Sequence, residues 1–483
     1  MERELQQKKD RLDIFFSTLH SRGQFNGNVL IAEEGIPIFK ESFGYSDIEN
    51  KIELHNHSMF DMGSIAKQFT AMCIMILKED GKLNYDNPIT DYLPELPYDY
   101  ITLRNLLTHT SGLPDWVEFK NVEYDPGKVF NNEDIITILI DENPSVLFEP
   151  GEKWQYSNLG YLLLGEVVER ISGKTLNAFM QERIFIPLGM HNTNHQNYFT
   201  DQQKSQKANG YFYYRPTKKR EIAIELDEPG LNYPRRNATE GLSWIYTTTE
   251  DMLKWNRVLY TEELVSRKTL SEAFSPVALN NGETFPYGFG WFIHTNSKGE
   301  KLVMHAGGLP GYVAKFIRNI DADKTIIILS NDYNILLSDI ERITDEVMKL
   351  VDENPYEIPK CSIAKELYKI VSKQTDVDIL SKKVKEMQAD NEKYYLSEEE
   401  MLRIGLTLLH YADPEDALTF HKVNTNLFPE SAQAANNHAK VYMKIGNQRQ
   451  AKIELEQALS LDPNNEESIS LLNELNQQMS RNE

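Results

Sequence analysis

Strand-like segments sit at the two ends of residues 28–330, and this split constrains the fold more than any other feature of the chain. At the front, residues 28–32 and 36–39 are apolar runs joined by Glu33-Glu34-Gly35, a β-hairpin signature. At the back, residues 287–293, 301–305, 313–317 and 325–330 are again rich in β-branched and aromatic side chains. The middle is dominated by helix and loop patterns. One sheet assembled from both ends, flanked by a helical region from the middle, is the simplest arrangement, so an α/β fold is expected. Residues 4–20 read as an amphipathic helix and residues 338–351 as a closing helix.

A chain of 483 residues exceeds what one core usually serves. Residues 352–359 contain two prolines and little periodicity, which places a domain boundary there. The expected division is a first domain over 1–352, a linker over 353–362 and a helical domain over 363–483. In that tail Ala417 and Ala451, Leu427 and Leu461, and Pro429 and Pro463 are each 34 residues apart. This period resembles the tetratricopeptide repeat, in which paired helices stack through small residues. Residues 432–463 fit the pattern well. The copy starting near Glu398 fits less well, because His421 and Asn424 stand where an aromatic and a small residue are usual. Residues 464–478 read as a capping helix, and two repeats need further support, expected from residues 363–395. A plain helical bundle is the competing reading.

Asp and Glu outnumber Lys and Arg by 73 to 51, a net charge of −22 that disfavours nucleic acid and anionic lipid as partners. The two cysteines make no disulfide framework or zinc pattern; Cys73 reads as a core residue and Cys361 as part of the linker. No apolar run reaches the length of a membrane span. The N-terminus lacks an apolar signal core, so the chain as it stands reads as cytoplasmic, or as periplasmic or secreted if a leader precedes it.

Three elements carry chemistry. Ser64-Ile65-Ala66-Lys67 precedes a long apolar stretch, so the serine should open a buried helix with Lys67 on its own face. A lysine held there can lose its proton or shuttle the serine proton. Ser362-Ile363-Ala364-Lys365 repeats the same letters at the start of a tail helix and reads as an N-cap plus a surface lysine. Tyr156-Ser157-Asn158 supplies a phenol able to take and return the serine proton, with Asn158 placed to hold substrate amide groups. Tyr85-Asp86-Asn87 has the same form but lies in a turn-rich loop. His305-Ala306-Gly307-Gly308 is the only H-x-G, between two strand-like runs, and the N–H of Gly308 can join that of Ser64 as an oxyanion hole.

In this order and context, the three elements resemble the penicillin-recognising serine hydrolases, in the branch of class C β-lactamases, DD-peptidases and related esterases. Leu106–Leu113 (LLTHTSGL), Pro150-Gly151-Glu152, Tyr287-Gly288-Phe289-Gly290-Trp291 and residues 247–252 resemble that family too. The resemblance covers roughly residues 10–350. It implies an antiparallel sheet flanked by helices plus a helical domain, no metal or organic cofactor, and a site built from Ser64, Lys67, Tyr156, Asn158, His305, Gly307 and Gly308. His109 reads as structural. One departure matters: the β-lactamases proper carry Lys-Thr-Gly where this chain has His305-Ala306-Gly307, and a histidine is mostly neutral near pH 7. The expected activity is hydrolysis through a Ser64 acyl-enzyme of small amides, peptides of D-amino-acid type, esters or, least of all, β-lactams. The alternative is a weak or inactive penicillin-binding scaffold whose repeat tail mediates protein association or self-association.

Overall fold

The computed structural model describes residues 2–115, 129–226 and 238–482. They form two compact units, Met1–Tyr213 with Arg220–Glu357, and Tyr214–Lys219 with Ile358–Glu483.

The first unit is built on a six-stranded antiparallel sheet. Its strands are β1 (Gly27–Glu33), β2 (Ile36–Phe43), β3 (Phe292–Thr295), β4 (Lys301–Leu309), β5 (Tyr312–Asn319) and β6 (Lys324–Ser330), in the order β3-β4-β5-β6-β1-β2. Both ends of the segment therefore share one sheet, as the strand pattern predicts. The join is β1 against β6, in register from Gly27↔Ser330 to Glu33↔Lys324. Alternate residues point to opposite faces. Leu30, Ala32, Ile327 and Leu329 enter the main core, while Val29, Ile31, Ile326 and Ile328 are equally buried outside it. A sheet covered on both faces accounts for runs such as Ile326-Ile327-Ile328-Leu329, in which polar residues do not alternate.

Helix α1 (Glu2–Ser21) lies against β2, with Phe16 packed on Phe25, Phe39 and Phe43. The buried helix α2 (Lys67–Glu79) packs on α3 (Asn158–Ser172), α4 (Thr249–Val258) lies on β6 and β1, and α5 (Ile340–Val351) closes the unit beside α1. Every residue of α2 from Lys67 to Leu77 is buried, and the run of residues 71–77 is apolar on every face. Tyr85, in the second Y-x-N sequence, packs in this core against Phe289, and Asp86 pairs with Arg104.

The second unit is helical: α6 (Ile363–Ile370), α7 (Val377–Ala389), α8 (Glu398–Tyr411), α9 (Pro414–Leu427), α10 (Ala432–Lys444), α11 (Gln448–Leu461) and α12 (Glu466–Asn482). Helices α6 and α7 pack on α8 and α9, as expected of residues 363–395. Ala439, Ala451, Leu455 and Ala458 are buried in α10 and α11, where small side chains let the two helices approach. Arg215, in the short segment that belongs to this unit, donates to the carbonyls of Tyr368 and Val371 and pairs with Asp416 at 2.7 Å.

Two details depart from the sequence reading. Cys361 and Ser362, at the end of the expected linker, form a short parallel strand with Tyr394–Tyr395. Ser362 does cap α6, accepting from Lys365 N, but Lys365 is buried rather than at the surface. Its partner is Glu400, 3.7 Å away, whose carboxylate also accepts from Ser362 Oγ and Tyr395 Oη. A charge bound this way is held inside by an acid distant in sequence.

Candidate active site

Ser64 is the one residue from Ser58 to Leu77 that is not buried. It sits in a 3-10 turn, Gly63–Ala66, that runs into α2, so the α-helix proper starts at Lys67. Residues i and i+3 eclipse in a 3-10 turn, and Lys67 Nζ accordingly reaches Ser64 Oγ at 3.1 Å. The turn is held by Asp61, whose Oδ1 accepts from Gly63 N at 2.8 Å, and by Met62 N donating to Ile245 O at 3.0 Å.

Strand β4 presses on this turn, and two glycines make the approach possible. Gly63 has φ +53°, and a Cβ there would stand 2.7 Å from Gly308 N. A Cβ on Gly307 would stand 1.9 Å from Met62 O and 2.9 Å from Ser64 N. At Gly308 the nearest atom is Cε1 of the Tyr333 ring at 3.2 Å, a side chain able to yield. Gly307→Ala is therefore expected to lose about 1–3 kcal/mol of stability through overpacking, and Gly308→Ala distinctly less. Urea unfolding of the two variants checks this; equal losses would contradict it.

Lys67 is fully buried and donates to three acceptors: Ser64 Oγ, Asn158 Oδ1 at 2.9 Å and Leu242 O at 3.0 Å. Burial lowers its pKa to about 7, against a smaller opposing pull from Asp115. Its ammonium also lies 5.1 Å from the ring centre of Tyr156 and 5.8 Å from that of Tyr161. Asn158 opens α3 behind the N-cap Ser157. Its backbone N and its Nδ2 both donate to Asp115 Oδ2, at 3.1 and 2.9 Å. With its carbonyl committed to Lys67 and one N–H to Asp115, Asn158 keeps one N–H for a substrate. Sequence reasoning missed Asp115, because an aspartate after Leu113-Pro114 reads as ordinary turn chemistry.

Burial pushes the Tyr156 phenol above its usual pKa. The Ser64 hydroxyl stands close enough to pull in the opposite direction, and Tyr156 Oη has no hydrogen-bond partner among the described residues. Beneath the ring, His109 packs tilted at 38° with ring centres 4.3 Å apart, and its backbone is left-handed, with φ +58°. His109 Nδ1 accepts from Ser157 N, so its Nε2 carries the proton and donates to Tyr287 Oη, 3.2 Å away. Tyr287 then donates to His305 Nε2 at 3.1 Å, and His305 Nδ1–H donates to Ala306 O at 2.6 Å. This one-way chain requires both imidazoles neutral. Burial, with Lys67 next, lowers His305 to about 3 and His109 well below its ordinary value. His109 thus stands inside the site, as a support for Tyr156 and a link to His305. Tyr287 was noted in sequence only as part of a supporting segment, and its hydroxyl proves to join the two histidines.

The structure thus brings Ser64, Lys67, Tyr156, Asn158, His305, Gly307 and Gly308 together around one turn. Among the described residues no group of three or more His, Cys, Asp or Glu side chains is placed to hold a metal.

Penicillin-binding protein 4* of Bacillus subtilis (strain 168) is 35% identical over 413 residues, covering 83% of this chain and 90% of that protein. An alignment of that length runs beyond residue 352, into the C-terminal helices. A penicillin-binding protein from Bacillus halodurans superposes with a TM-score of 0.57 at 25% identity, covering 70% of this chain and 98% of its own. The D-amino acid amidase of Ochrobactrum anthropi SV3, in complex with D-phenylalanine, shares the fold with a TM-score of 0.59 at 23% identity, covering 72% and 99%. Residues 12–344 match the family described as Beta-lactamase, and the chain belongs to that family.

Proposed function

We propose that this chain is a hydrolase that passes through an ester on Ser64. The observation that carries this reading is a fully buried lysine, its pKa lowered to about 7, 3.1 Å from a serine hydroxyl that reaches the surface. Near neutral pH a substantial share of Lys67 is free amine, able to take the Ser64 proton as Oγ attacks a carbonyl carbon. The N–H groups of Ser64 and Gly308 hold the oxyanion. Tyr156, protonated at rest, gives its proton to the leaving group and regains one from Lys67. Water then attacks the ester, and the same groups run in reverse. Lys67 suits the role of base better than Tyr156, because burial depresses its pKa and raises that of the phenol.

Small amides, peptides of D-amino-acid type and esters fit this chemistry. The fold shared with a D-amino acid amidase is consistent with the amide class. The C-terminal helices are read as a short tetratricopeptide-like module, a separate domain with a surface for a protein partner. The alanine-lined pair α10–α11 supports that reading.

Intact-protein mass spectrometry with a fluorescent penicillin, a fluorophosphonate and 4-nitrophenyl acetate tests the hydrolase reading. At least one reagent is expected to leave a single adduct on the peptide containing Ser64. Folded protein that takes no adduct from any of the three would sink it.

A further inference from the structure

Strand β4 has an open edge next to the serine. Its pairing with β3 ends at Met304, whereas its pairing with β5 continues to Leu309, so from His305 onward one side has no strand partner among the described residues. An extended substrate lying along that edge, with its carbonyl at Ser64, runs out over Leu309 and Pro310. There the described residues enclose a cavity of about 160 Å³. Its far wall begins at Trp244, two residues past Leu242, whose carbonyl accepts from Lys67.

Trp244, Tyr246 and Tyr312 give the cavity aromatic walls, and Ile222, Ile224, Leu309 and Pro310 add aliphatic ones. Tyr246 and Tyr312 meet edge to face at 5.6 Å, and Tyr312 Oη donates to Ala208 O at 2.6 Å. Gly210 and Gly311 touch so closely that a Cβ on Gly311 would lie 2.6 Å from the carbonyl carbon of Gly210. One ammonium lines these walls, that of Lys207. Its Nζ lies 5.2 Å from the Tyr246 ring centre and makes no hydrogen bond or ion pair among the described residues. The acid it interacts with is Asp61, which is fully buried, already accepts from Gly63 N, and is raised by burial to about 7. Burial works against charge on both groups, lowering Lys207 as it raises Asp61. Glu225 also lines the cavity but is exposed to solvent. With no hydrogen bond or ion pair to Lys207 Nζ among the described residues, an anion brought into the cavity would favour its ammonium form, in surroundings where a charge pair is stronger than in water. At the other end of the same strand edge, His305 is neutral and supplies no cation.

We propose that this cavity is a subsite for a carboxylate-bearing part of the substrate, with Lys207 as its counter-ion. The proposal rests on Ser64 being the attacking group, and it makes small acyl compounds with a free monoanionic carboxylate the preferred class. The cavity volume suits a short side chain or terminal group, and Glu225 at the exposed side disfavours a second negative charge.

The test uses two esters that differ only in that carboxylate, mono-4-nitrophenyl glutarate and 4-nitrophenyl valerate. Binding of each to the full-length Ser64→Ala protein is measured by calorimetry at pH 7. The glutarate ester is expected to bind about tenfold more tightly, the scale of one charge-assisted hydrogen bond. Adding Lys207→Met should erase that advantage, and Lys207→Gln takes its place if the methionine variant melts early. Equal affinities, no binding of either ester, or an advantage that survives both substitutions would overturn the proposal. Turnover by the wild-type protein is read separately. Selective binding without turnover would sink the hydrolase reading and leave the subsite standing.

Discussion

Ser64→Ala is expected to abolish covalent labelling by every reagent that labels the wild-type protein and to slow ester hydrolysis by about 10⁴-fold or more. Without Oγ no ester can form, and what remains is water attacking a carbonyl held near N–H donors. The fold should not suffer. Ser64 is partly exposed, and Lys67 loses one of its three acceptors while keeping Asn158 Oδ1 and Leu242 O. Matched melting curves with labelling lost would locate the chemistry at Ser64. Labelling retained by the variant would assign it to another residue.

Lys67→Met is expected to slow acylation by about 10²–10⁴-fold, the range for a positioned general base. Lys67→Arg should not restore it, because a guanidinium does not give up its proton. In the wild-type protein the acylation rate should rise with pH through about 7 and then level, following the free amine of Lys67. The methionine variant should lack that rise. The same group shapes stability. The unfolded chain keeps the lysine proton up to its ordinary value of 10.5, the folded chain only up to about 7. Between these values the unfolded state binds more protons, so this group adds stability at roughly 1.4 kcal/mol per pH unit as pH rises. Below pH 7 its full destabilising effect is present. Urea unfolding at pH 7 and pH 9 should therefore show the wild-type protein gaining roughly 2–3 kcal/mol relative to Lys67→Met. A constant difference would mean that Lys67 titrates near its ordinary value.

The sheet was legible because β-branched runs such as residues 325–330 cannot be buried one at a time and must pair. Ser64 and Lys67 were legible because their spacing leads into the apolar run of residues 71–77 in α2. What escaped the sequence depends on partners far along the chain. Lys365 looked like a surface residue until Glu400 was placed beside it. Asp115 bears on the site through hydrogen bonds to Asn158, 43 residues on, and through its charge on Lys67. Tyr287 bridges His109 and His305, 178 and 18 residues away, and a single hydroxyl in an aromatic-rich segment gives no hint of that. The 3-10 form of the Ser64 turn was also hidden, since the partners packed on it, Ile245 and the strand at Gly307, lie far along the chain.

Strand β1 can pair early with β2 through a short hairpin, but its other edge waits for Lys324–Ser330. Pairing across so long a loop is slow to form. The serine shares this delay. Its turn is translated early, but the strand that shapes it, at Gly307 and Gly308, emerges more than two hundred residues later. A nascent chain thus carries Ser64 and Lys67 for most of its synthesis without the surface that aligns them. Reactivity toward acyl compounds should appear late and abruptly during translation, so a truncated product ending before residue 307 should be chemically silent however well its early helices form.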